Sequence, residues 1–176
     1  FDLDLAAEVA QRNGWEFDAQ AIDWNAKDSL IEAGTITCLW NGFTMEGRET
    51  DYAFSEPYMN NSQVIMVKAG SDIKTEADLA GKNVLTQAGS AAETLLEDDS
   101  ADGKAALAAT FAGGKVNTIA DYTNAVMQLE AGAGDAIACD SSIADYFMAQ
   151  KSDTYTVAVT LSSEHYAVGF KKDNQA

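Results

Sequence analysis

Two stretches of this chain follow one plan. Glu32-Ala33-Gly34 closes a helical pattern and leads, through the apolar run Ile36 to Trp40, to Asn41-Gly42. Glu130-Ala131-Gly132 closes another and leads, through Ala136 to Cys139, to Asp140. A helix stopped by glycine and followed by a buried strand is the repeating piece of a parallel sheet with helices packed on it. Ligands of such open sheets bind just beyond the strand C-termini. A doubled plan therefore predicts two β/α halves, each presenting one such end. The alternative is coincidence, because helix, glycine and strand follow one another in any α/β protein and the matched string is short.

The rest of the chain keeps the same rhythm. Leu3, Leu5, Ala6, Val9 and Ala10 recur at helical spacing up to Gly14, a C-terminal cap. Trp15, Phe17, Ala19 and Ala21 alternate, which predicts a strand, and a short helix follows from about Asn25 to Ala33. Val64 to Val67 and Asn83 to Thr86 are strand patterns. Thr75-x-x-Asp78 opens a short helix, and Ser90-x-x-Glu93 has the form of a capping box opening another. Asp121 caps a helix that Gly132 stops, and Ser141 starts one reaching about Gln150. Tyr155, Val157 and Val159 alternate, and Tyr166, Val168 and Phe170 do so again. The one proline is Pro57, and no glycine-serine or charged linker divides the halves. Two lobes would then be joined by strands, which favours hinge closure over independent beads.

Charge narrows the function. Acidic residues number 28 against 11 basic ones, a net charge of −17. Nucleic-acid binding depends on lysine and arginine neutralising phosphates, and anionic lipid surfaces attract the same residues. Both partners are disfavoured. Cys38 and Cys139 each lie in an apolar run, which predicts two buried strand positions and not a disulfide. No window approaches the ~18 apolar residues of a membrane span. No basic and then apolar targeting segment opens the chain.

A few residues have the chemistry and placement to hold a ligand. Arg48 follows a strand-end loop, where a guanidinium can fork onto a carboxylate; the alternative is a solvated loop arginine. Ser90 starts a helix after Gln87-Ala88-Gly89, where free N–H groups favour an anion; plain N-capping explains it equally. Asp140 ends an apolar strand, where a carboxylate can accept from an ammonium group or cap the next helix. Trp24 stands at a strand exit, ready to stack on a ligand or to pack in the core. Trp40 and Phe43 fit packing or a cleft wall. Catalytic and metal signals are thin: His165 is the single histidine, with no nucleophile elbow, no metal-ligand spacing and no glycine-rich phosphate loop.

In order along the chain, FDLDLAAEVA, IDWNAKDSLIEAGTIT, WNGFTMEGR, FSEPYMNNSQVIMV, IKTEADLAGKNV, GSAAE and DAIACD resemble the polar amino-acid-binding family of ABC-transporter solute-binding proteins. The resemblance spans nearly the whole chain, and the WNGFT variant is similar to a branch common in Gram-positive bacteria. It implies an α/β fold of two lobes, the type II periplasmic-binding-protein-like "Venus flytrap". Lobe 1 would comprise 1–66 and 168–176, lobe 2 would comprise 67–167, and the hinge strands would lie at about 62–68 and 166–171. The family's first strand would precede Phe1 and its last helices would follow the second hinge strand, both outside this chain, leaving a sheet edge exposed.

Residue by residue, the resemblance implies a site for a free amino acid in the inter-lobe cleft. Arg48 matches the arginine that clamps the α-carboxylate, and the N–H groups of Ser90 and Ala91 match the helix start that completes the clamp. Asp140 matches the carboxylate that holds the α-ammonium, joined by the Gly42 carbonyl and the Thr44 hydroxyl. Trp24 matches the aromatic that stacks on the ligand side chain, and Gln87 faces the far end of the cleft. Two departures stand out: the loop from Thr44 to Arg48 is one residue shorter than the common pattern, and Ala91 replaces a frequent serine or threonine. The resemblance further implies an extracytoplasmic protein, periplasmic or lipoprotein-anchored, monomeric at full length. It would need no cofactor and would deliver its ligand to an ABC transporter membrane permease. Two rivals share the fold: a ligand-sensing domain of a receptor or sensor kinase, and a cyclohexadienyl dehydratase-like enzyme with Glu164 or His165 as its acid.

Overall fold

The computed structural model describes residues 1–174; Gln175 and Ala176, the end of the expected lobe 1 segment, lie outside the described residues. The chain divides into two compact units, one of residues 1–60 and 164 onward, the other of residues 61–163. The chain crosses from one to the other within two strands, β3 (Met59–Lys68) and β7 (Tyr155–Tyr166).

The first unit opens with α1 (Asp2–Asn13), closed by Gly14 in the left-handed region as its cap position requires. A single 3-10 turn, Trp24–Ala26, leads into α2 (Lys27–Glu32), with the Asp23 carboxylate capping the Asn25 N–H at 3.0 Å. Among the described residues its sheet has three antiparallel strands, in the order β1 (Cys38–Leu39), β8 (Gly169–Lys171), β2 (Tyr52–Phe54). The core beneath it is small: Ile31, Leu39, Phe43 and Tyr52, with Ile22, Trp24, Ile36 and Phe54 packed around them. Phe43, 1% exposed, meets Tyr52 edge-on at 5.0 Å, and Phe54 at 5.7 Å.

In the second unit β4 (Val84–Gln87), β5 (Asn117–Ile119) and β6 (Ala136–Asp140) run parallel, and β3 lies antiparallel to β6 in a sheet ordered β5-β4-β6-β3-β7. Period-two alternation sorts its side chains. Ile65, Val67, Ala136 and Ala138 face α3 (Ala91–Glu97) and α4 (Ala105–Ala108), through Ala92, Leu96 and Ala108. Val64, Met66, Ile137 and Cys139 face α5 (Tyr122–Ala131) and α6 (Ser141–Gln150), through Ala125, Leu129 and Ala144. A sheet covered on both faces needs apolar residues at consecutive positions. The run Val64-Ile65-Met66-Val67, at 0–3% exposed, meets that need.

Several sequence expectations change. The alternation at Trp15, Phe17, Ala19 and Ala21 forms no strand; residues 15–21 carry no ladder, and Trp15 and Phe17 are 65% and 42% exposed. Alternation supplies a face, but a strand exists only where a neighbour accepts its hydrogen bonds. The run Ile36 to Trp40 pairs only at Cys38 and Leu39, because β8 offers them just Phe170 and Gly169. The expected strand at about 166–171 is broken in two. The Ala167 N–H goes to the Phe43 carbonyl at 3.0 Å and the Val168 N–H to the Ser55 hydroxyl at 3.0 Å, so pairing passes from the 43–45 loop to β2. Both cysteines are free, yet only Cys139 is buried; Cys38, on an edge strand, is half-buried.

Gly169 has no room for a side chain: a Cβ there would lie 2.6 Å from the Phe43 ring. Gly169→Ala should lower unfolding free energy by about 1–3 kcal/mol, read from urea midpoints. An unchanged midpoint would show that Phe43 shifts freely and does not anchor this core.

Candidate amino-acid-binding site

The first unit brings four of the expected residues together around Phe43. Trp24 meets the Phe43 ring edge-on at 5.7 Å, and the Arg48 guanidinium lies 4.7 Å from that ring's centroid on a cation–π contact. Arg48 Nη1 also donates to the Thr44 carbonyl at 3.1 Å, which folds its side chain back over the loop that carries it. This places the guanidinium beside Thr44. Trp24 carries the Lys27 ammonium 5.3 Å from its ring centroid, and Lys27 is itself buried at 8% exposure. Trp24 thus has a packing role in addition to whatever face it offers a ligand.

The loop is fixed from behind. Gly42 adopts φ +72, and a Cβ there would lie 2.9 Å from the Tyr166 ring, so both backbone and space demand glycine. Its N–H donates to the Tyr58 hydroxyl at 3.3 Å, and that hydroxyl donates to Asp2 at 2.8 Å. Burial, then the Asp2 carboxylate, pushes the Tyr58 hydroxyl pKa far above its ordinary value, keeping it a donor. The Thr44 hydroxyl donates to Glu164 at 2.6 Å, with both residues buried. Thr44 also bridges Tyr166, and the Met45 N–H donates to the His165 carbonyl at 3.0 Å. His165 is exposed and pairs through Nδ1 with Glu46 at 2.6 Å.

The second unit gathers the other four at the C-terminal ends of its parallel strands. Gln87 ends β4, and its amide donates to the Ala120 carbonyl at 3.2 Å. Ser90 caps α3, its hydroxyl accepting the Glu93 N–H at 3.1 Å, while Glu93 returns to the Gly89 N–H at 2.5 Å and not to Ser90. Ala91 is the first residue of that helix. Ser90 is buried, with its hydroxyl 3.2 Å from that of Thr86. Beside both lies the Tyr122 hydroxyl, whose pKa is raised first by burial and then by the Asp140 charge.

Asp140 ends β6 opposite Gln63 of β3. It occupies the N-cap position of α6, but its side chain makes no capping bond there. The carboxylate turns instead to two amides: Asn61 Nδ2 donates to Oδ1 at 2.8 Å, and Gln63 Nε2 donates to the same oxygen. Asn61 in turn accepts from the Ser141 hydroxyl at 3.0 Å. Asn61 and Gln63 went unnoticed in the sequence because they sit in a strand recognised by its apolar half. The visible signal was two amide residues alternating on one face, in Asn61-Ser62-Gln63. Among the described residues no group of three or more His, Cys, Asp and Glu side chains is placed to hold a metal ion. No helix there is long and apolar enough to cross a membrane.

Residues 1–176 match the bacterial extracellular solute-binding proteins, family 3. The chain belongs to that family. This solute-binding protein superposes on an ABC uptake transporter substrate-binding protein of Streptococcus pneumoniae with bound histidine, at a TM-score of 0.91 and 31% identity, over 98% of this chain and 70% of that one. The type II periplasmic-binding-protein fold expected from the sequence is thereby shown. It is 30% identical to the L-cystine-binding protein TcyA of Bacillus subtilis over 83 residues, 47% of this chain and 31% of TcyA. Against the glutamine-binding protein GlnH of the same organism it is 28% identical over 181 residues, which cover all of this chain and 62% of GlnH. The solute-binding protein thus spans less than two thirds of each of these two curated relatives.

The Glu46–His165 contact gives a pH test. Partial burial works to raise the Glu46 pKa, but hydrogen bonds from the His165 N–H and ring, and the charge of that ring, outweigh it and hold the carboxyl below its ordinary value. A carboxyl lowered on folding stabilises above its unfolded pKa of about 4.3, and that contribution fades as pH falls through the lower folded value. The urea midpoint of Glu46→Gln should therefore trail wild type at pH 7 and approach it at pH 3. A gap of equal size at both would mean Glu46 acts without its charge.

Proposed function

We propose that this protein binds a free L-amino acid as its zwitterion and delivers it to the membrane permease of an ABC importer. A zwitterion carries two opposite charges, each costly to take out of water unless paired. Arg48 supplies a bidentate partner for the α-carboxylate, aided by the N–H groups of Ser90 and Ala91. Asp140 takes the α-ammonium, with the Gly42 carbonyl and Thr44 hydroxyl beside it. The observation that carries this reading is the state of Asp140: a half-buried carboxylate at a strand end that declines the helix cap and is held by neutral amides. Such donors fix the direction of a carboxylate that ends a strand, where an ammonium group can reach it.

Trp24 and uncharged Gln87 favour a neutral or polar side chain, such as that of glutamine or cystine. Relatives named for histidine, cystine and glutamine support an amino acid as the ligand class. We place the protein outside the cytoplasm, periplasmic or lipoprotein-anchored, as a monomeric carrier without enzymatic activity.

Calorimetric titration with the twenty L-amino acids and cystine tests the proposal. Wild type should bind at least one, and Arg48→Ala should abolish that binding with its circular dichroism unchanged. Asp140→Ala should weaken it by about 3–5 kcal/mol, the scale of unpairing a buried charge. Unchanged affinity in Arg48→Ala removes that residue from the site, and a loss under about 0.5 kcal/mol in Asp140→Ala places the ammonium elsewhere.

A further inference from the structure

We infer that Asn41 is a site of spontaneous deamidation which the folded chain holds shut, with the Tyr58 hydroxyl guarding the Gly42 N–H that would start the reaction. This stands apart from what the candidate site binds.

The chemistry is that of any asparagine followed by glycine. The Gly42 backbone nitrogen attacks Cγ of the Asn41 amide and loses its proton to a base in solvent, while the side-chain nitrogen departs as ammonia. Water then opens the five-membered imide at either carbonyl, which leaves an aspartate or an isoaspartate. Glycine favours the attack because no Cβ shields its nitrogen and its backbone turns easily. Asn41-Gly42 meets the sequence requirement, and Asn41 is exposed, so water and base reach it.

Two groups of the fold oppose the attack. The Gly42 N–H donates to the Tyr58 hydroxyl at 3.3 Å, which commits both its proton and its orientation. The Tyr166 ring lies 2.9 Å from where a Gly42 Cβ would stand, so it takes the place of the missing shield.

Tyr58 is itself held. Its ring centroid lies 6.4 Å from those of Phe1 and Trp40 and 6.5 Å from that of Tyr166. Its N–H donates to the Tyr166 carbonyl at 2.9 Å. Its hydroxyl gives its proton to Asp2 at 2.8 Å, which turns an oxygen lone pair toward Gly42. A tyrosinate there would be a base able to strip the Gly42 proton. Burial, then the Asp2 carboxylate, push the Tyr58 pKa far above its ordinary value, so the group stays protonated and restrains the N–H. Deamidation would add a negative charge at residue 41, and an isoaspartate would add a backbone carbon as well, just before the loop that carries Thr44 and Arg48. The bond to Tyr58 protects that loop.

The test follows one peptide. Trypsin cuts after Lys27 and Arg48, and the peptide 28–48 between them holds Asn41 as its single asparagine and no glutamine. The mass gain of an amide turned to an acid in that peptide therefore reads this site alone. Purified protein is aged in mildly alkaline buffer, folded or unfolded in guanidinium chloride, and digested at intervals. Folded wild type should react at least about tenfold more slowly than the unfolded chain. Tyr58→Phe keeps the ring and removes the acceptor; folded, it should react about fivefold faster than wild type, and unfolded at the same rate. Asp2→Ala, which leaves the hydroxyl but removes what aims it, should speed the reaction by less. Ile31→Val, a core change in the same unit, should leave the rate where it is.

Folded wild type reacting as fast as the unfolded chain would overturn the inference. So would wild-type rates in both folded Tyr58→Phe and folded Asp2→Ala, or an Ile31→Val rate that matches Tyr58→Phe, since general loosening would then be the cause.

Discussion

A carboxylate set among packed strands must find hydrogen-bond donors, or it costs more than the fold gains by placing it there. In each unit of this chain neutral groups help to meet that requirement. In the second unit Asp140 takes the Asn61 and Gln63 amides. In the first, Glu164 takes the Thr44 hydroxyl at 2.6 Å. Both arrangements hold polar residues in fixed positions next to the backbone that carries the candidate site. The Asp140 cluster depends on the β3–β6 register, since a slip of one residue would send Asn61 and Gln63 to the opposite face.

The two units bury their apolar residues differently, and stability is not uniform across such a chain. The second unit has a sheet with a core on each face, from Ile65 and Val67 on one side to Val64 and Met66 on the other. The first unit relies on one small cluster around Phe43. That residue packs against Trp24, Tyr52 and Phe54 and also carries the Arg48 cation. Core and candidate site share a side chain there, so a change at Phe43 would be felt in both.

Much of the fold was legible because its signals are local. Gly14 and Gly132 stop α1 and α5, Asp121 caps α5, and Ser90 caps α3, all as spacing and residue type required. Strands were less legible, because a strand is a relation between segments. Residues 15–21 alternate correctly and still form no ladder, while β8 starts only after the Val168 N–H has gone to Ser55. The candidate site divides along the same line. Arg48, Thr44 and Gly42 were visible as a strand-end loop, and Asp140 as a polar residue closing an apolar strand. What surrounds Asp140 was not visible, since 77 residues separate it from Gln63 and only pairing brings them together.

Cys139 is fully buried at the heart of β6, and burial raises its thiol pKa well above the ordinary value, with the Asp140 charge adding to it. Burial raises that of Cys38 as well. Sulfur attacks other sulfur as the thiolate, so a raised thiol pKa disfavours exchange, and burial puts Cys139 out of reach of an exchange partner as well. The folded chain thus keeps Cys139 sealed from thiol exchange, whereas an unfolded copy would expose it to mixed disulfides. Packing thus protects the protein chemically as well as holding its shape.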